Sequence, residues 1–171
     1  MLIFVERIAG LLGAVASVLA RLCLIAIALV LFVQVVLRYG FSSTLPWPEE
    51  MSRYLMIWVV MLAGSLLVKD DQLVRVDFFD RFWPERLLLW RNILFRVLLA
   101  MLLGVMVWKG YENALFGARR QAVTLGISFY WIYLAVPVGA GLMMFHMLVA
   151  ALQDILRGPR RADPSILNAE I

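Results

Sequence analysis

The chain has 171 residues, 64% of them hydrophobic and only 16% charged, with a formal net charge of +4. These proportions exclude an ordinary soluble domain and place the chain in a bilayer. Lipid tolerates only helices or closed barrels, and long apolar runs without two-residue alternation select helices.

Residues 2–20 come first. Small or polar residues recur at Gly10, Gly13, Ser17 and Arg21, with Leu11, Leu12, Val15, Val18 and Leu22 elsewhere around the helix. The pattern predicts an interfacial arm. A cleaved signal peptide is disfavoured because Glu6 cancels Arg7 and removes the positive n-region. The apolar run continues to Leu37, interrupted by Arg21 and Gln34. An arginine in mid-bilayer costs about 2.5–3.5 kcal/mol, so Arg21 is expected at a headgroup boundary, and the first span at about residues 18–37. Cys23 lies within that run as a small packing residue, and a single cysteine leaves no internal disulfide or cysteine metal cluster.

The second span is expected over residues 51–68. Pro48 suits the first position of its helix, and Glu49 and Glu50 then occupy the first turn, at the positive end of the macrodipole. Arg53 lies four residues after Glu49 and three after Glu50, so it can pair with either. Tyr39, Trp47 and Tyr54 read as an aromatic belt at the same level. Glu50, Tyr54, Ile57, Met61, Gly64 and Val68 share one helical stripe, and Gly64 would let another helix approach closely.

The third span, residues 92–111, is punctuated by Arg86, Arg91 and Arg96 before the charge-free stretch Val97 to Trp108. Its helix is expected to start near Pro84 below the membrane, with Arg96 snorkelling to the cytoplasmic side. In the fourth span, residues 127–150, Pro137 followed by Gly139 and Gly141 predicts a kink. A tail, residues 155–171, follows. The arm with the adjoining Arg21, the 69–96 segment and the tail hold eleven of the sixteen basic residues, which puts both termini in the cytoplasm. The same bias accounts for the net charge without nucleic acid.

No cofactor is expected. A b-type haem uses imidazole ligands, and the single histidine, His146, reads as a hydrogen-bonded bundle residue. The sequence contains no phosphate-binding glycine loop, no nucleophile elbow and no carboxylate deep in a span. The chain is therefore expected to be neither an enzyme nor a transporter by itself.

Four stretches, "QVVLRYGF" at 34–41, "WPEEMSRYLMIW" at 47–58, "AGSLLVKDDQLVRVDFF" at 63–79 and "LGISFYWIYLAVPVGAGLMM" at 125–144, resemble in order the small membrane subunit of tripartite ATP-independent periplasmic (TRAP) transporters. The resemblance covers nearly the whole chain. It implies a Q-type, four-helix protein of the bacterial inner membrane that braces a larger, ion-coupled transport subunit. That subunit takes up organic acids delivered by a periplasmic solute-binding protein and carries the substrate and sodium sites. Position by position, the resemblance marks Arg38, Tyr39, Trp47, Glu50, Arg53, Tyr54, Gly64, Asp77, Pro137 and Gly139 as assembly residues. Pro48 departs from the family's usual serine or threonine cap, and Leu73 stands where a histidine often precedes valine-aspartate. A haem-free anchor for a redox enzyme is the alternative, resting only on four helices and a basic cytoplasmic face.

Overall fold

The computed structural model describes residues 2–40, 45–70 and 85–157. Asp77, Leu73 and residues 158–171 of the tail lie outside them. Among the described residues the chain is helical except for one short loop: α1 (Leu2–Gly40), α2 (Trp47–Lys69), α3 (Glu85–Gly117), α4 (Phe129–Tyr133) and α5 (Ala135–Arg157). Three stretches are long and apolar enough to cross a membrane: Phe4–Gly40, Trp47–Lys69 and, through α4 and α5 together, Phe129–Gln153. The chain is an all-α protein with membrane-spanning helices.

The expected arm and first span are joined in one helix, with no helix boundary near residue 18. α1 is one helix of 39 residues, about 58 Å long at 1.5 Å per residue. One face of its N-terminal half packs against the bundle while the other stays exposed. The buried stripe is Ala9, Gly13, Ala16 and Ala20, alternately four and three residues apart, whereas Arg21 is exposed. Small side chains let α1 lie close to α2: Ala16 and Ala20 cluster with Leu62, flanked by Trp58, Leu66 and Leu142. At the same end Gln153 Nε2 donates to Glu6 Oε1 at 3.0 Å, tying α5 to α1.

The helices pack in the order α1, α2, α5, α3. α2 and α5 run parallel, and α3 runs antiparallel to α5. Val68, Leu103, Ala140 and Met147 form the second buried cluster, where α2, α3 and α5 meet.

The fourth span is interrupted at one residue, three before the expected kink at Pro137. It divides at Leu134 into α4 and α5, so Pro137 occupies the first turn of α5. The reason is steric. Within a continuous helix the proline ring would meet the carbonyl of Tyr133 and leave it without a donor. Breaking the helix at Leu134 avoids that clash. The remaining bonds bridge the break: Leu134 N donates to Tyr130 O at 2.9 Å and Val138 N to Leu134 O at 3.2 Å.

Candidate functional site

The face of α2 that carries Glu50, Tyr54, Met61, Gly64 and Val68 is the seam against the last third of the chain. It is built from the middle outwards. A β-carbon on Gly139 would stand 2.6 Å from Met61 Cβ and 3.0 Å from Met61 O, so the two backbones touch where α2 crosses α5. One turn further along, a β-carbon on Gly64 would run into Met143 Cε. Pro137, buried two residues before Gly139, rests on α3: a β-carbon on Gly110 would lie 3.0 Å from its Cδ.

Towards the start of α2 the seam becomes polar. Trp58 Nε1 donates to Trp131 O at 3.2 Å, and the Tyr54 ring meets Phe129 edge-on at 5.8 Å between centroids. Beyond them the loop after α3 folds over: Ala122 N donates to Ile127 O at 2.8 Å, Phe129 N to Arg120 O at 3.1 Å, and Gly126 N to Ala122 O at 3.0 Å. Gly126 has φ of 64°, the left-handed backbone this turn needs. Ser128 caps α4, accepting from Tyr130 N at 3.2 Å.

Glu50 closes the loop. Its Oε2 accepts from Thr124 N at 3.0 Å and also from the Thr124 hydroxyl, while its Oε1 accepts from Tyr54 O–H at 2.5 Å. Arg53 pairs instead with Glu49 at 2.9 Å, with both side chains about 70% exposed. Of the two pairings open to Arg53 in the sequence, the structure thus uses the outer one. Pro46, Glu49, Glu50, Arg53, Tyr54 and Thr124 line a shallow recess of about 260 Å³ that opens away from the bundle.

The structure brings Glu50, Tyr54, Gly64 and Gly139 onto the α2 seam and places Pro137 beside it, against α3. Trp47 is half-buried at the start of α2, and Arg38 and Tyr39 are exposed at the end of α1, Tyr39 by 79%. Asp77 is outside the described residues. His146 is a bundle residue, but the expected hydrogen bond is missing: Nε2 has no partner among the described residues, and the ring stands 5.8 Å from that of Phe145. It lies where α5 carries apolar neighbours. Thr124, Phe129, Gly110 and Gly117 were not singled out by sequence. For the glycines a signal existed: Gly110, Ala114 and Gly117 place small residues four and three apart, and all three are buried.

The family to which this geometry belongs is given by comparison. The DctQ component of tripartite ATP-independent periplasmic transporters matches residues 27–157. The chain belongs to this TRAP family. It is similar to the sialic acid TRAP transporter small permease protein SiaQ of Vibrio cholerae, 28% identical over 123 residues, covering 72% of this chain and 71% of that one. It is also similar to two much longer permeases. With the sialic acid permease SiaT of Haemophilus influenzae it shares 32% identity over 126 residues, 74% of this chain but 20% of that protein. With the isethionate permease DctMQ of Oleidesulfovibrio alaskensis it shares 30% over 120 residues, 68% of this chain and 19% of that protein. The chain thus spans about a fifth of the fused permeases and most of the separate small one. As a TRAP small permease component it is part of a transporter and not an enzyme.

Proposed function

We propose that this TRAP component is a non-catalytic scaffold in the bacterial inner membrane that braces a large ion-coupled subunit during uptake of organic acids delivered by a periplasmic solute-binding protein. The observation that carries the reading is the pair of fused relatives. In each, a segment like this chain makes up about a fifth of a permease. In each, that segment stands beside a much larger part, and such a part is the large subunit this chain would brace. The relatives' names, sialic acid and isethionate, both fit the organic-acid class. In this reading α3 also crosses the membrane, as the third of four spans, both termini are cytoplasmic, and the recess around Arg53 faces the periplasm. Arg38, Tyr39, Trp47, Glu50, Arg53, Tyr54, Gly64, Asp77, Pro137 and Gly139 then support assembly, the seam residues by holding the bundle in shape and the exposed ones by touching the large subunit.

Proteoliposomes test the division of labour. The chain alone is expected to show no gradient-driven uptake of an organic acid, and uptake is expected only with the large subunit and the solute-binding protein together. Robust uptake by the verified chain alone would reject the scaffold.

Orientation has its own measurement. Val123, at the tip of the loop after α3, is 95% exposed and accepts a cysteine without strain. Gly117 does not, because a β-carbon there would lie 2.7 Å from Tyr133 Cδ2. In a Cys23→Ala background, Val123→Cys is expected to react with an impermeant thiol reagent in intact spheroplasts. Protection until the membrane is broken would reverse the topology.

A further inference from the structure

Two charged positions that the sequence assigns to opposite membrane surfaces stand at the same height in the bundle. Ala20 packs on Leu62, so Arg21, one residue further out, comes level with about Met61. Gly110 lies on Pro137 and Gly139 on Met61, so Lys109 comes level with about Val60. Lys109 bonds Glu112 Oε2 at 2.7 Å, Trp108 Nε1 donates to Glu112 Oε1 at 2.8 Å, and the pair is more than half exposed. Arg21 is exposed as well. Met61 is the midpoint of the charge-free stretch of α2 between Arg53 and Lys69. Were α2 upright in the bilayer, Arg21 on one flank and the Lys109–Glu112 pair on the other would both stand at mid-membrane.

The apolar surfaces show the way out. On α1 the charge-free stretch is Leu22 to Leu37, centred near Leu29 and Val30, with Leu24, Leu29, Phe32 and Val35 exposed. That centre lies on the outer side of the Met61 level. On α3 the charge-free stretch is Val97 to Trp108, centred near Leu102, with Val97, Met101 and Val105 exposed. That centre lies on the inner side. Traced through the contacts above, the two centres are offset by about 14 residues, roughly 20 Å at 1.5 Å per residue.

We propose that the bundle lies tilted in the bilayer, with the lipid-contacting belt running diagonally from the outer half of α1, across the middle of α2 and α5, to the inner half of α3. α1 and α3 are the flanks of the row, and because α1 also touches α5 they stand about two to three interhelical steps of roughly 8–10 Å apart. An offset of roughly 20 Å across that width corresponds to a tilt of roughly 40°, the upper end of what spanning helices adopt. This single rotation lowers Arg21 to the inner headgroups and raises Lys109 and Glu112 to the outer ones, beside Trp108 and Tyr111, which are exposed and suited to an interface. The occupant of the diagonal belt is the hydrocarbon of the bilayer. The reason is the position of charge: the belt is the one continuous zone that avoids Arg21, Arg38, Arg53, Lys69 and Lys109 on every long helix.

The inference rests on the membrane-spanning part of the proposed function, and depth measurement separates the two. Single nitroxides are placed at Val18, Leu29, Met101 and Tyr111, all exposed, in the full chain with Cys23→Ala, reconstituted into phosphatidylcholine vesicles. Depth is read from the ratio of oxygen to nickel-chelate accessibility. The tilted bundle gives the deepest labels at Leu29 and Met101, with Val18 and Tyr111 each roughly 10 Å shallower along their helices. If Val18 and Tyr111 are the deepest, the bundle stands upright and the tilt is overturned while the spanning reading survives. If all four labels are as open to the nickel chelate as a label at Val123, the spanning reading itself fails and the tilt falls with it.

Discussion

Replacing Gly139 by valine is expected to abolish the folded bundle. The added β-carbon points at Met61 O and Met61 C, 3.0 and 3.1 Å away, which are backbone atoms of α2 and cannot rotate aside. Even Gly139→Ala forces the α2–α5 crossing apart, and overpacking of this kind costs about 1–3 kcal/mol. Valine adds two methyl groups to the same clash. Gly64→Ala provides the contrast. Its new methyl meets only Met143 Cε, the end of a flexible thioether that can take another rotamer, so the loss is expected to stay below about 1 kcal/mol. Thermal unfolding of the detergent-solubilised chain, followed by near-ultraviolet circular dichroism and size-exclusion chromatography, measures both. Equal losses at positions 64 and 139 would show that the backbone approach at Met61 does not carry the seam.

Removal of the Glu50 carboxylate is expected to release the loop after α3. In Glu50→Ala the Thr124 N–H and hydroxyl and the Tyr54 hydroxyl all lose their acceptor, although Ala122, Gly126 and Phe129 keep their backbone bonds. The loop then hinges on its own turn. Arg119 and Arg120, both exposed, become easy targets for trypsin, and cleavage there is expected to accelerate several-fold. Glu50→Gln retains one acceptor oxygen, so it belongs between alanine and the parent. Arg53→Gln breaks only an exposed pair with Glu49 and is expected to leave the cleavage rate unchanged. The second readout is recovery of the large subunit in a pull-down. Arg53→Gln is expected to lower it through a direct contact, and Glu50→Ala through the displaced loop. Parent-like recovery for both variants would remove positions 50 and 53 from the interface with the large subunit.

The stripe of α2 was legible because helical periodicity needs no tertiary information. Glu50, Tyr54, Ile57, Met61, Gly64 and Val68 fall on one face by spacing alone, and all but Ile57 make the contacts of the seam. The partners of the stripe were not legible. Thr124 lies 74 residues from Glu50, and nothing local to "AVTLGIS" says which acceptor its hydroxyl meets. Arg53 had two carboxylates within helical reach, and the choice fell to Glu49 because Glu50 turns towards the loop. The continuity of α1 is legible only in part: Arg21 marks a headgroup boundary but no helix end, because Ala9, Gly13, Ala16 and Ala20 form one buried stripe that runs up to it without a break. Pro137 was noticed, but its local rule permits either a kink or a restart. Leu134 supplies the restart because α4 is held separately, by Trp58 and by the cap at Ser128.

The order of packing differs from the order of synthesis, and this bears on how the protein is made. α1 and α2 are neighbours in both, so their hairpin can close as soon as Lys69 has been inserted. α3 is the next helix to emerge, yet it packs on α4 and α5 and lies apart from α1. Until the final third of the chain has been translated, Gly110, Ala114 and Gly117 therefore have nothing to rest on, and the charge-free face of α3 is open to other membrane proteins. α5 then performs two docking steps at once, wedging between α2 and α3 and linking Gln153 to Glu6 at the far end of the chain. Chains cut short before Phe129 are accordingly expected to yield a stable hairpin beside an orphan third helix, the kind of partly assembled product that membrane quality-control proteases remove.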